Sequence, residues 1–206
     1  MLINLGFSAA AFLIIITVHE FAHGAVAYLL GDTTARDNGR LTLNPIKHLD
    51  PLGTVMLLIT AFFGRGLGWA KPVPVNPHRF KNPRRDMLLT SIAGPMSNFV
   101  LALLLAKIYP MDLPDLARFF IANAAILSVW IGIFNLLPIP PLDGSQIIPT
   151  FLPYKMHQAW YRFEQYGMAV LLILLFLLPG ALGTIIGGPA EYIITAIFYP
   201  YQVPGL

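Results

Sequence analysis

The sequence predicts an all-α integral membrane protein, a helical bundle of about 4–6 transmembrane segments with a re-entrant segment and short membrane-associated β-strands. Three observations lead there. Of 206 residues, 56% are hydrophobic and only 11% charged, with a mean hydropathy of +0.68; soluble domains run at roughly 45–50% apolar and about 25% charged. Long apolar runs recur, separated by short polar stretches that hold most of the Lys and Arg. Proline- and glycine-rich stretches also cut some apolar runs too short to cross a bilayer. The length suits a single domain over residues 1–206, with a core at about 1–150 and a C-terminal helical part over 151–206.

Composition also narrows function. The formal charge of +3 and pI near 9.3 would suggest nucleic acid in a soluble protein. Here the basic residues cluster between apolar runs, where membrane orientation explains them, so the expected surroundings are a lipid bilayer and no nucleic acid. The chain has no Cys, which removes disulfides, thiolate metal sites and Cys nucleophiles.

The elements follow in order. Leu2 to Leu30 is long enough to span. It has no Lys or Arg before Arg36, so it reads as a retained span and not a signal peptide. Residues 32–50 are polar; Arg40 to Asn44 alternates like a short strand and Asn44-Pro45 marks a turn. Leu52 to Phe63 is apolar but about half a span in length, and is expected to dip in and return. In Trp69 to Pro77, Pro72 and Pro74 flank Val73, which bars a helix and leaves an edge strand or an extended loop. A basic run through His78, Arg79, Lys81, Arg84 and Arg85 leads to a second span, Met87 to Tyr109. A third, from about Leu116 to Leu137, is broken by Pro138, Pro140 and Pro141. Gly167 to Ile186 reads as the last full span, with an interruption at Pro179-Gly180, and Ala190 to Tyr199 is apolar but short and could be interfacial, which leaves open whether 187–206 span.

Within the first span stands His19-Glu20-Phe21-Ala22-His23. Residues four apart share a helix face, so two imidazoles can aim at one zinc while Glu20 lies beside it as a base. Three titratable side chains inside an apolar segment point to function. A catalytic zinc usually takes three protein ligands. His48, His78 and His157 lie in charged segments, where a solvated His is the plainer reading. Asp143 follows a proline-broken helix end close to the membrane; an Asp-Gly alone is ordinarily a turn, but beside H-E-x-x-H it becomes the leading candidate.

Together, His19 to His23, Gly94-Pro95-Met96-Ser97-Asn98 and the run Asn135 to Gly144 (NLLPIPPLDG) resemble the three signatures of the site-2 protease family of intramembrane metalloproteases. The resemblance covers the chain to about residue 150, without a recognisable PDZ or CBS domain. It implies zinc held by His19, His23 and Asp143, Glu20 as catalytic base, and active-site roles for Asn135 and Asn98. The implied reaction is hydrolysis of peptide bonds within or near transmembrane segments of membrane protein substrates. An unwound substrate could pair with Val73 and Val75 as an added strand; a plain proline-rich loop stays equally open. A metal transporter carries similar residues but usually shows repeats, and an inactive relative would not need Glu20.

Parity and charge give a topology. If His19, His23 and Asp143 meet one ion, an odd number of crossings separates them, so Leu52 to Phe63 must not span. That arrangement places eleven Lys and Arg on one face and two on the other. The richer face is expected to be cytoplasmic, with the active site toward it in the cell membrane.

Overall fold

A computed structural model of the protein describes residues 2–56 and 68–201, with side chains from residue 6 onward. It forms two compact units, Met1–Gly94 and Pro95–Leu206. Four helices are long and apolar enough to cross a membrane: Gly6–Leu29, Pro83–Ile108, Asp115–Asn135 and Pro179–Phe198.

In the first unit, α1 (Leu2–Leu29) ends where Gly31 takes a φ of 108°, a conformation that costs glycine nothing. The Asp32 amide then donates to Ala27 O at 2.9 Å. A one-turn helix α2 (Thr34–Asp37) closes through Gly39 (φ 63°), and the Arg40 amide donates back to Ala35 O at 2.8 Å. Two Asn-Pro pairs start 3-10 turns in the same way. Asn44 Oδ1 accepts from the Ile46 amide at 3.0 Å and Asn76 Oδ1 from the His78 amide at 3.1 Å, while the proline fills the first position, where no donor is needed. The turn expected at Asn44-Pro45 is therefore present. Residues 51–56 are helical; the rest of the expected re-entrant segment lies outside the described residues.

The expected β-strands are not formed: among the described residues the only pairing is an isolated antiparallel bridge between Leu49 and Ala70. The cause is a lack of backbone donors. Pro72, Pro74 and Pro77 have no N–H, and side chains take two of the amides that remain. The Val73 amide donates to Glu20 Oε2 at 2.7 Å and the Asn76 amide to Asp32 Oδ2 at 2.6 Å. Arg40 to Asn44 likewise bends instead of pairing. Its alternation serves local contacts, with Thr42 O accepting from His48 Nε2 at 2.8 Å.

Helix α3 (Pro83–Ile108) begins at a proline and contains Pro95. In the second unit, α4 (Asp115–Asn135) stops before Pro138, as expected of a residue that cannot continue the ladder. Short helices α5 (Asp143–Phe151) and α6 (Tyr154–Glu164) follow. The last expected span is corrected. Instead of one helix over 167–186 there are two, α7 (Gly167–Phe176) and α8 (Pro179–Phe198). Pro179 breaks the first because it cannot donate, and then opens the second because a first-turn residue needs no donor. Its helix absorbs the segment 190–198 that reads as interfacial by sequence. Small residues (Ala102, Ala106, Ala122, Ala125, Ala190) let the second half of α3, α4 and α8 approach closely, with Phe198 closing the end. Large apolar side chains such as Val100, Leu104 and Leu116 remain exposed, as suits a lipid-facing surface.

Two glycines test this packing. A Cβ on Gly167 would stand 2.3 Å from Pro140 Cβ and 2.5 Å from Pro140 O, whereas one on Gly180 meets nothing within 4 Å. Gly167→Ala should lower stability by about 1–3 kcal/mol. Gly180→Ala should be neutral or stabilising by up to ~1 kcal/mol. Thermal unfolding in detergent should rank them in that order.

Candidate metal centre

His19 and His23 lie one turn apart on α1 and are 3% and 8% exposed. Their Nε2 atoms are 3.0 Å apart and their rings nearly perpendicular, at 79°. His23 Nδ1 sits 2.7 Å from Thr90 O. A carbonyl only accepts, so Nδ1 is the protonated nitrogen and Nε2 presents its lone pair, the arrangement a metal-binding imidazole needs. Gly94 keeps the space before the pair open. A Cβ there would stand 2.2 Å from His23 Nε2 and 2.6 Å from His19 Nε2. The pair fits zinc: two nitrogens on a tetrahedral ion at ~2.0–2.1 Å are separated by about 3.3 Å.

Glu20, between them in sequence, is also buried, and its Oε2 accepts the Val73 N–H. Val73 is buried and Val75 half-buried. The Val73 N–H, expected by sequence to be free for an added strand, is thus already engaged. The same face of α1 continues one turn back into a cavity of about 180 Å³, apolar in its lining, between Phe12, Leu13, Ile16, His48 and Trp69. His48 is 1% exposed with Nε2 bonded to Thr42 O, which corrects the expectation of a solvated histidine.

In the second unit, Asp143 is the first residue of α5 and half-buried. The turn before it is tight. A Cβ on Gly144 would lie 2.2 Å from Leu136 O and 2.4 Å from Leu137 O, so only glycine lets α5 start there. Asn135 ends α4 with Nδ2 donating to its own helix at Ile131 O, 2.9 Å. Asn98 is completely buried, and among the described residues neither carboxamide atom has a hydrogen-bond partner. Its backbone carbonyl accepts from Ser128 Oγ at 2.9 Å.

Sequence reasoning missed Thr90, Asp32 and Arg40. Thr90 acts through a backbone carbonyl, which no side-chain pattern reveals. Asp32 follows a glycine helix end, and a buried role there looks like an ordinary polar turn.

Long apolar helices, one of them holding two buried imidazoles and a carboxylate, define a multi-pass integral membrane protein whose paired imidazoles can hold a metal. The comparisons make this specific. The pattern of peptidase family M50 matches residues 113–178. The chain is 46% identical over 170 residues to zinc metalloprotease YwhC of Bacillus subtilis, covering 77% of this chain and 74% of that protein. It is 34% identical over 184 residues to zinc metalloprotease Rip2 of Mycobacterium tuberculosis, covering 86% and 69%, and 31% identical over 169 residues to Rip2 of Mycolicibacterium smegmatis, covering 81% and 65%. No solved structure matches. The chain belongs to peptidase family M50, the site-2 protease family, and is a zinc-dependent metalloprotease.

The geometry makes Gly94 a direct test of the centre. Gly94→Ala should preserve the helix, since Ala favours helix over Gly by about 1 kcal/mol, yet push its methyl into the Nε2 pair. Zinc stoichiometry should fall sharply while circular dichroism stays at the wild-type value.

Proposed function

We propose that this protein is an intramembrane zinc metalloendopeptidase that cleaves peptide bonds within or near transmembrane segments of membrane proteins. The observation that carries this reading is the burial of His19, Glu20 and His23 on a helix apolar enough to span. Water-requiring chemistry is then confined to one point in an apolar helix. His19, His23 and Asp143 are the proposed protein ligands. Asp143 is favoured by its place at the start of α5, fixed by the tight Gly144 turn. When bound, zinc supplies Lewis-acid polarisation of the scissile carbonyl and makes water a nucleophile near neutral pH.

Glu20 takes the proton of the attacking water on a carboxylate oxygen and returns it to the leaving amine. Its Oε2 already accepts from Val73, which leaves Oε1 for the proton. Asn135 would donate Nδ2 to the developing oxyanion, for which its amide must turn away from Ile131 O. The cavity beyond Ile16 suits an apolar side chain of the substrate, and the 73–75 segment its unwound backbone. Asn98, being buried, would act behind the substrate and not against it. The proposed orientation puts the charge-rich loops and the active site on the cytoplasmic face.

Cleavage, variant and labelling measurements test the reading. Purified protein should cleave a labelled transmembrane substrate, lose that activity to a chelator and regain it with zinc. Glu20→Gln should retain zinc and lose at least ~10²-fold in rate, whereas Asp143→Ala should lose zinc and activity together. Full activity in Glu20→Gln defeats the mechanism, and unchanged zinc affinity in Asp143→Ala defeats the ligand assignment. For topology, cysteines placed at Asp37 and Lys81 should be protected from an impermeant external thiol reagent and one at Asp112 should react; labelling at Lys81 but not at Asp37 would show that the chain crosses between them, and the parity argument fails.

A further inference from the structure

We propose that Arg40 and Asp32 are positioning residues for Glu20. They clamp the 71–76 segment at its two ends, so that the Val73 amide fixes the carboxylate in one orientation. This inference rests on the reading of Glu20 as the base.

The segment cannot place itself. It runs extended and, among the described residues, is tied to the backbone of another segment only at its start, where the Lys71 amide donates to His48 O at 2.9 Å; Pro72 and Pro74 on either side of Val73 remove the donors that would pair it further. At one end Arg40 Nη2 donates to Lys71 O at 2.6 Å and reaches Pro72 O at 3.4 Å. At the other, Asp32 Oδ2 accepts the Asn76 amide at 2.6 Å. Both clamps are buried, Arg40 at 8% and Asp32 at 0% exposure. Buried charged groups that satisfy backbone atoms of another segment are costly to lose, because the partner is left without compensation.

The clamps are themselves fixed to α1. Asp32 follows its C-terminal glycine turn, with its amide on Ala27 O, and Asp32 Oδ1 accepts from the Thr34 amide at 3.0 Å. Arg40 leaves the next glycine turn with its amide on Ala35 O. Gly24, one residue after His23, brings the segment onto the helix. A Cβ there would stand 3.3 Å from Val73 Cγ1. Base and clamps therefore share one frame, and the Val73 N–H meets Glu20 Oε2 at 2.7 Å. A glutamate with three rotatable bonds gains a fixed orientation from that bond, and general-base catalysis depends on holding the carboxylate within reach of the proton it takes.

The test compares Arg40→Ala, Arg40→Lys and Val73→Pro in the zinc-loaded full chain. Val73→Pro removes the single N–H without touching either clamp. Arg40→Ala and Val73→Pro should lower kcat by about ten- to a hundredfold, with zinc stoichiometry unchanged. Arg40→Lys should recover most of the loss, since an ammonium can still donate to Lys71 O. Independently of turnover, hydrogen exchange at the Val73 amide should quicken in both Glu20→Ala and Arg40→Ala. Wild-type kcat in Val73→Pro overturns the proposal, as does unchanged Val73 exchange in Glu20→Ala or Arg40→Ala. A loss in Arg40→Ala that appears as lost zinc, with no recovery in Arg40→Lys, also overturns it. Failure of the protease reading looks different: the wild type would then show no chelator-sensitive cleavage at all, while Val73 exchange would still report on the clamp.

Discussion

Burial of two imidazoles and a carboxylate on an apolar helix is the constraint on which the first unit depends. Polar groups away from water cost several kcal/mol unless each finds a partner, and those of His23 Nδ1 and Glu20 Oε2 do not lie on α1. The partners come from elsewhere in the unit. The Thr90 carbonyl holds His23, the Val73 amide holds Glu20, and Gly94 leaves room before both Nε2 atoms. Each is a backbone group or a missing side chain. That choice suits a membrane site, because backbone atoms add no further charge to be buried.

The proline content then makes physical sense. In a soluble loop, prolines mostly stiffen. Here Pro72 and Pro74 strip a segment of donors, so that the one amide between them is available to Glu20. In the second unit the same residue ends helices. Pro138 follows the end of α4, and Pro179 separates α7 from α8 while starting the latter. Glycine does the complementary work, permitting approach at Gly94, Gly144 and Gly167, where any Cβ would collide.

Much of this was legible in the sequence. The span positions of α1, α3 and α4 follow from apolar length, which is set by bilayer thickness and little else. The His19, Glu20, His23 set follows from helical spacing, and the geometry brings the two imidazoles together as that spacing requires. The strands were misread because alternation at Arg40 to Asn44 and around Val73 signals half-burial as well as pairing. Pairing needs backbone donors, and in the second segment the prolines lack them while side chains take the Val73 and Asn76 amides. The C-terminal helices were misread because Pro179 can be placed inside one apolar run or between two. Only the continuation through Gly187, Gly188 and Pro189 to Phe198 decides it, and composition disfavours that helix while packing of Ala190, Ile194 and Phe198 sustains it. Asp32 and Arg40 carry no pattern, since their role depends on contacts more than thirty residues away in sequence for Arg40 and more than forty for Asp32.

The central claim is that one zinc is held by the paired imidazoles of α1 together with oxygen ligands. X-ray absorption at the zinc edge of the loaded protein tests it most directly. The account predicts scattering from two imidazoles at ~2.0–2.1 Å, with oxygen completing the shell at about 2.0–2.2 Å. Scattering from a single imidazole, or from three, would contradict it.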